Sequence, residues 1–420
     1  MDRRRLDFMS LWFGQTVSQF GSQVTLIALP LIALLVLRGS PLEIGLMTAA
    51  GGVSYLGFGL LAGAIVDRIS RKRLAIACDL GRFVVLLIVP VLAWAGRLTF
   101  LDLYVVSFLL GTLTVFFEVA YRSLLPSLVK RDQLVAANSK LEGSYAAAQM
   151  AGPALGGGMV QLLSAPTALL ADSISFLVSA LSLSFVSATG RVDKDALKPS
   201  LHQLAKEISE GLGFVWSHPV LRPFAYCSAI WNVAQSAVLA EFLVFTTRTL
   251  HLAPYASGGV LAGSGLGALL AAILSPRIVR RLGLGRTLVL GPAVAAFGTV
   301  AFPVAHGPTW LLILVLGVGW VMFGFGETTF GIQMVSVRQM VTPDSLLGRM
   351  DASMRLFFRG AIPVGATVGG LLAQGIGLRA TLLCTAALFA ATVILIGRSR
   401  LRDLDLSNVR IFTTALAPGQ

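Results

Sequence analysis

GAIVDRISRKR, residues 63–73, places one acid and four cations between two apolar runs. Such a stretch suits a chain that leaves the hydrocarbon of a bilayer and turns back, because charged side chains stay with water and lipid headgroups. The runs on either side, 42–66 and 74–95, are each long enough to cross, since a hydrocarbon core of about 30 Å takes roughly 20 apolar residues as helix. The rest of the chain has the same character. Of its 420 residues 55% are hydrophobic and 13% charged, and the mean hydropathy is +0.81. A water-soluble class is excluded, and backbone polar groups in lipid must be satisfied within helices.

Twelve runs of spanning length can be marked, at 11–37, 42–66, 74–95, 100–121, 143–164, 167–187, 223–247, 256–275, 287–305, 309–333, 354–375 and 380–397. The expected fold is all-α and integral to the membrane, with twelve transmembrane helices in two six-helix bundles. Residues 1–187 form the N-terminal bundle and 223–397 the C-terminal one. Between them, 188–222 reads as a cytoplasmic linker holding one amphipathic helix, and 398–420 as a cytoplasmic tail.

A net charge of +13 raises nucleic acid as a partner, and its distribution rejects it. With an even number of spans both termini share a side. Arg38, Arg97, Arg248 and Arg379 fall on the other side and Arg82 near the start of the third span, which leaves 28 of the 33 Lys and Arg with the termini. This is the positive-inside pattern, so both termini and the linker are expected in the cytoplasm, with anionic lipid headgroups as partners of the excess charge. The run after Arg3, Arg4 and Arg5 is as long as a spanning helix, so no cleaved signal is expected. Three isolated cysteines and four scattered histidines build no metal or disulfide framework, and no cofactor is expected.

The halves repeat. A shift of 212 lays SLVKRDQL (127–134) on QMVTPDSL (339–346), pairing Asp132 with Asp344, and carries Gly157 and Gly158 onto Gly369 and Gly370. A shift of 209 lays Arg68, Arg71 and Lys72 on Arg277, Arg280 and Arg281, with Asp67 falling on Pro276. The second copy keeps the cations and lacks the acid.

GAIVDRISRKR, followed by Asp79 and Arg82 in CDLGR, resembles the cytoplasmic loop motif of the major facilitator superfamily. LWFGQTVSQFGSQVTLIALPL, GSPLEIG, SLLPSLVKRDQLVAANS, ADSISFLVSAL, EGLGFVWSHPVLRP and DSLLGRM, in this order, resemble its branch of bacterial macrolide and other drug exporters and enterobactin-type siderophore exporters. The resemblance implies a gating role for Gly63, Asp67, Arg71, Asp79 and Arg82. On physical grounds Gly63 would permit close helix approach, Asp67 could meet cations or a helix N-terminus, and Arg68, Arg71 and Lys72 could pair with acids or lipid phosphates. Contacts of this kind can form in one conformation and break in another, as a latch between bundles, or the cations can serve topology alone. In the fifth span AGPALGGG resembles the glycine-proline motif associated with exporters; Gly152, Pro153, Gly156 and Gly157 would allow a bend and close packing.

Polar residues inside spans point to a substrate path, because each must find a partner or a water-filled cavity. Gln15, Gln19 and Gln23 recur at i, i+4 and i+8 in the first span, and Trp231, Asn232 and Gln235 lie on the seventh. The alternative is interhelical hydrogen bonding without substrate. Glu118, Asp172, Glu241 and Glu327 lie within apolar runs and are candidates for proton coupling, since a desolvated carboxyl group binds a proton more readily than one in water. Glu118 has Arg122 one turn later and Asp172 suits a structural partner, which favours Glu241 and Glu327. The expected function is a proton-coupled antiporter that exports amphipathic small molecules, driven by a proton gradient, from the bacterial cytoplasmic membrane, as a monomer. The alternative on the same fold is a nutrient importer or a lipid or lysophospholipid translocator. A membrane enzyme is disfavoured, since neither HExxH nor G-x-S-x-G is present.

Overall fold

The computed structural model describes residues 3–66, 68–187 and 201–403. Asp67, most of the expected linker before residue 201 and most of the tail lie outside the described residues. The chain is helical in every expected span. In order these are α1 (Arg3–Leu35), α2 (Pro41–Val66), α3 (Arg71–Trp94), α4 (Phe100–Leu128), α5 (Leu134–Leu163), α6 (Ala165–Ser184), the linker helix α7 (Leu201–Ser217), α8 (Leu221–Val244), α9 (Pro254–Leu282), α10 (Leu284–Val304), α11 (Thr309–Val341), α12 (Asp344–Ile376) and α13 (Leu378–Arg398). Among the described residues nine of these helices are long and apolar enough to cross a membrane by length and composition. The other long helices expected to span are α2, α5 and α12.

Several helices overrun their expected bounds. Helix α11 has 33 residues, about 50 Å at 1.5 Å per residue, against the roughly 30 Å that lipid requires. Hydropathy reports only the part in hydrocarbon, whereas a helix continues wherever its backbone bonds are satisfied internally. Side chains close the opposite ends. Ser40 and Glu43 make a reciprocal box at the start of α2, with the Ser40 N–H donating to Glu43 Oε2 at 2.7 Å and the Glu43 N–H to Ser40 Oγ at 3.3 Å. Thr99 and Asp102 do the same for α4. Each box satisfies two N-terminal donors that the helix leaves open.

The chain divides into two compact units, one drawn from Met1–Pro199 with Phe242–Ala262, the other from Ser200–Glu241 with Gly263–Gln420. The C-terminal end of α8 and the N-terminal part of α9 therefore group with the first unit. Within that unit α1 packs against α5 and α6, α2 against α4, and α3 against α4 and α6. Helices α1 and α6 run antiparallel, Gly14 facing Ser179 and Ser182 while Gly21 faces Ser175 and Asp172. Phe8, Leu11, Cys78, Phe117 and Leu124 belong to the buried cluster at the basic end. In the second unit α10 crosses α11 on small residues, Gly298 against Gly319 and Gly291 against Gly326. Without a hydrophobic force between helices in lipid, such approach of backbones supplies the packing.

Candidate substrate and coupling site

In the first unit the glutamine face of α1 turns toward its neighbours. Gln15 is buried, and its Nε2 has no hydrogen-bond partner among the described residues. Gln19 and Gln23 are half-buried. Gln23 lies where a Cβ on Gly152 would fall, so Gly152 is the seat that lets this side chain sit between α1 and α5. Trp12 Nε1 donates to Ser144 Oγ at 2.9 Å and Thr16 Oγ1 to the same atom at 3.1 Å, a polar seam that the sequence reading missed. Its signal is a Trp and a Thr one turn apart on the face that carries Gln19 and Gln23.

The four intramembrane carboxylates separate by partner. Asp172 is 1% exposed; Thr25 Oγ1 donates to its Oδ2 at 2.5 Å and Ser175 Oγ to its Oδ1 at 2.9 Å. That geometry joins α1 to α6, so of its two readings the structural one fits. Glu118 takes the Tyr55 hydroxyl at 3.4 Å. The expected ion pair with Arg122 does not form: the guanidinium lies 5.9 Å from the Tyr121 ring centre, and no Glu118–Arg122 bridge within 4.0 Å occurs among the described residues. Glu241 is fully buried and neither carboxyl oxygen has a hydrogen-bond partner among the described residues.

Glu327, partly buried like Glu118, has an amide as its partner. It is half-buried on α11, and its Oε1 accepts a hydrogen bond from Gln235 Nε2 on α8. Gly326 beside it lets α10 approach closely. One turn earlier on α8, Asn232 is half-buried and donates to the Ser228 carbonyl at 2.8 Å. Ser228 Oγ in turn meets Met334 Sδ at 2.9 Å. These contacts give the register of α8 against α11: they run antiparallel, with 228 opposite 334 and 235 opposite 327. Trp231, expected on a cavity wall, is 5% exposed. Its ring packs with Phe323 (5.9 Å), Phe330 (5.6 Å) and Phe389 (4.8 Å) in the core of the second unit. A ring that size finds more contact among three phenylalanines than on a polar face.

The basic loop does local work within the first unit. Arg71 Nη1 donates to the Ser123 carbonyl on α4 at 3.0 Å. Lys72 Nζ donates to the carbonyls of Ser184 and Val186 at 2.8 and 2.5 Å, at the C-terminal end of α6 where a cation complements the helix dipole. Arg68 is exposed. Gly63 does not serve close approach, since a Cβ there would meet nothing within 4 Å among the described residues. Asp79 and Arg82 form a buried ion pair inside the unit, the guanidinium lying 4.0 Å from the Phe117 ring centre and 4.3 Å from that of Phe176. The glycine-proline stretch of α5 has two faces. Gly156 lies against Val24 and Ile27 of α1, whereas Gly157 and the Pro153 carbonyl meet Gly258 and Pro254 at the start of α9.

Apolar helices of bilayer length, packed on small residues and carrying amides and carboxylates inside, are the build of an integral membrane transporter of the major facilitator fold. A bacterial homologue of the iron transporter ferroportin, solved in an inward-facing state, shares that fold with a TM-score of 0.74 over 94% of this chain and 98% of its own, at 17% identity. The chain belongs to the transmembrane secretion effector family, which matches residues 3–415. It is 29% identical to the multidrug efflux pump Tap of Mycolicibacterium fortuitum over 418 residues, covering 96% of this chain and 98% of that protein. Macrolide efflux protein A of Streptococcus pyogenes is 21% identical, with the same coverage. The chain is thus a transporter of the major facilitator type, and not an enzyme.

Proposed function

We propose that the protein exports small amphipathic molecules, of the kind that includes macrolide-like drugs and siderophores, in exchange for protons by alternating access. Its orientation puts both termini in the cytoplasm, which the grouping of 28 of the 33 Lys and Arg supports. The observation that carries the reading is the Gln235–Glu327 pair, a carboxyl group held by an amide between two apolar helices. An amide can donate to a carboxylate through N–H or accept from a carboxylic acid through its carbonyl, so Gln235 can hold Glu327 in either protonation state. Proton and substrate would compete at Glu327, with Asn232 and the α1 glutamines offering further polar contacts. The similarity to the two efflux pumps supports drug-like substrates. Glu241, sealed from solvent in this conformation, is the second coupling group, one that reaches water only after a rearrangement.

The test is transport in everted vesicles with an imposed pH gradient. Native protein should take up a lipophilic dye or a macrolide only with the gradient present, and each addition of substrate should release protons. Glu327→Gln, the neutral mimic of the protonated carboxyl group, should weaken substrate binding, read as a smaller thermal shift of the purified protein, and lose the response to the gradient. A Glu327→Gln protein that still responds fully to the gradient would remove this residue from the mechanism. Transport by the native chain that ignores the gradient would sink exchange altogether.

A further inference from the structure

Glu118, which the export scheme leaves without a task, has surroundings like those of Glu327. It is partly buried on α4, and its Oε1 accepts the Tyr55 hydroxyl of α2 at 3.4 Å. The two helices correspond in the repeat: Gly111 of α4 lies against the Gly51 carbonyl of α2 and Gly324 of α11 against the Ser264 carbonyl of α9, so a single shift carries the first contact onto the second. Glu118 follows its glycine by seven residues and Glu327 by three, which puts each on the face of its glycine, one turn apart. The partners share their chemistry too. A phenol hydroxyl, like an amide, both donates and accepts, so Tyr55 can hold Glu118 with or without a proton, as Gln235 holds Glu327. Asp79 is held instead by a guanidinium, which only donates, and Asp172 is 1% exposed with a hydroxyl on each oxygen.

Tyr55 faces Glu118 from α2, the Asp79–Arg82 pair lies beside the neighbouring Phe117 from α3, and Tyr121 and Arg122 follow on α4, with Glu142 of α5 acting on Arg122. Around Glu327, α8 presents Gln235, α9 Ser264 and Gly267, and α10 Gly291 and Ala295. We propose that each unit carries one exchangeable proton, on Glu118 in the first and on Glu327 in the second, so that two protons cross for each substrate exported. This rests on the export reading and adds its stoichiometry. Glu241, on α8 with Gln235, passes on the second unit's proton and adds no third. A second proton raises the limit of accumulation, because every coupled proton multiplies the attainable substrate ratio by the proton ratio across the membrane.

The test is the steady-state accumulation of ethidium, a dye whose charge does not change with pH, in everted vesicles with the membrane potential clamped at zero. At a tenfold proton gradient the native protein should approach an accumulation of about a hundredfold, against about tenfold for a single coupled proton. Glu118→Gln, which keeps an acceptor for Tyr55, should fall to the tenfold limit. Tyr55→Phe cuts the same tie and leaves the carboxyl group, so it should keep the higher limit, which a purely structural role for the pair would not allow. A native limit of about tenfold, or a Glu118→Gln limit equal to the native one, would overturn the proposal. The export reading would survive either result, whereas accumulation that ignores the gradient would sink that reading itself. Infrared difference spectra of the purified protein between acid and alkaline buffer need no substrate. The band of protonated carboxyl groups should lose area in Glu118→Gln and again in Glu118→Gln/Glu327→Gln, and a Glu118→Gln spectrum equal to the native one would also overturn the proposal. Should Glu118→Gln fail to fold, Glu118→Asp takes its place, its carboxyl band expected to move and an unmoved band counting against the proposal.

Discussion

Replacing Arg82 by methionine tests whether the Asp79–Arg82 pair is part of the core or part of a gate. Asp79 is 0% and Arg82 4% exposed, and the guanidinium is sandwiched between Phe117 and Phe176 at 4.0 and 4.3 Å. Removing one partner of a buried pair leaves an uncompensated charge and costs about 3–5 kcal/mol. Loss of the two ring contacts adds roughly 1 kcal/mol each, in part restored by the methionine sulfur. Arg82→Met should therefore destabilise by on the order of 4 kcal/mol, and Asp79→Leu by a similar amount. The double variant should recover most of that, because replacing both ions by apolar groups removes the desolvation penalty along with the attraction. The assay is thermal unfolding of the purified protein for the full double-mutant cycle, with transport measured in parallel. If Arg82→Met unfolds at the native temperature and only transport fails, the pair acts as a gate and the core reading is refuted. A double variant no more stable than Arg82→Met would refute the electrostatic argument.

Three further outcomes follow from packing and titration. Gly157→Val and Gly258→Val should each cost about 1–3 kcal/mol by overpacking where the two backbones meet, whereas Gly158→Ala, whose Cβ would meet nothing within 4 Å, should be near neutral in the same unfolding assay. Thr25→Val should destabilise by about 1–3 kcal/mol, because it leaves Asp172 Oδ2 without its donor; an unchanged unfolding temperature would show that this bond is idle. His218, buried in the turn before α8, accepts the N–H groups of Val220 and Leu221 at its Nδ1 (3.1 and 3.4 Å), and burial lowers its pKa from the ordinary 6.5. The folded state thus binds the proton less readily than the unfolded chain, so this contribution is complete above pH 6.5 and declines as pH falls below it. His218→Asn, which keeps a cap acceptor and does not titrate, should flatten that part of the stability profile.

Much of the fold was legible in the sequence because hydropathy is a local property. Each span needs its own roughly 20 apolar residues whatever its neighbours do, and all twelve runs became helices. The repeat was legible too: the shift of 212 carries Gln23 onto Gln235, and the glycines that admit these helices correspond to within a residue, Gly152 against Gln23 and Gly365 against Val233 and Ser236. Partners were not legible. That Asp172 bonds Thr25, that Glu327 bonds Gln235 and that Glu118 bonds Tyr55 are matters of how helices distant in sequence are turned and staggered. Gly63 and Trp231 show the same limit, one expected in tight packing and found open, the other expected on a polar wall and found among phenylalanines. By itself the sequence determined the membrane class, the spans and the placing of charge, since transfer from water to lipid acts on each segment alone. Only the tertiary structure decided which neighbour each carboxyl group bonds, since a hydrogen bond needs two atoms about 3 Å apart and that distance is set by packing between helices.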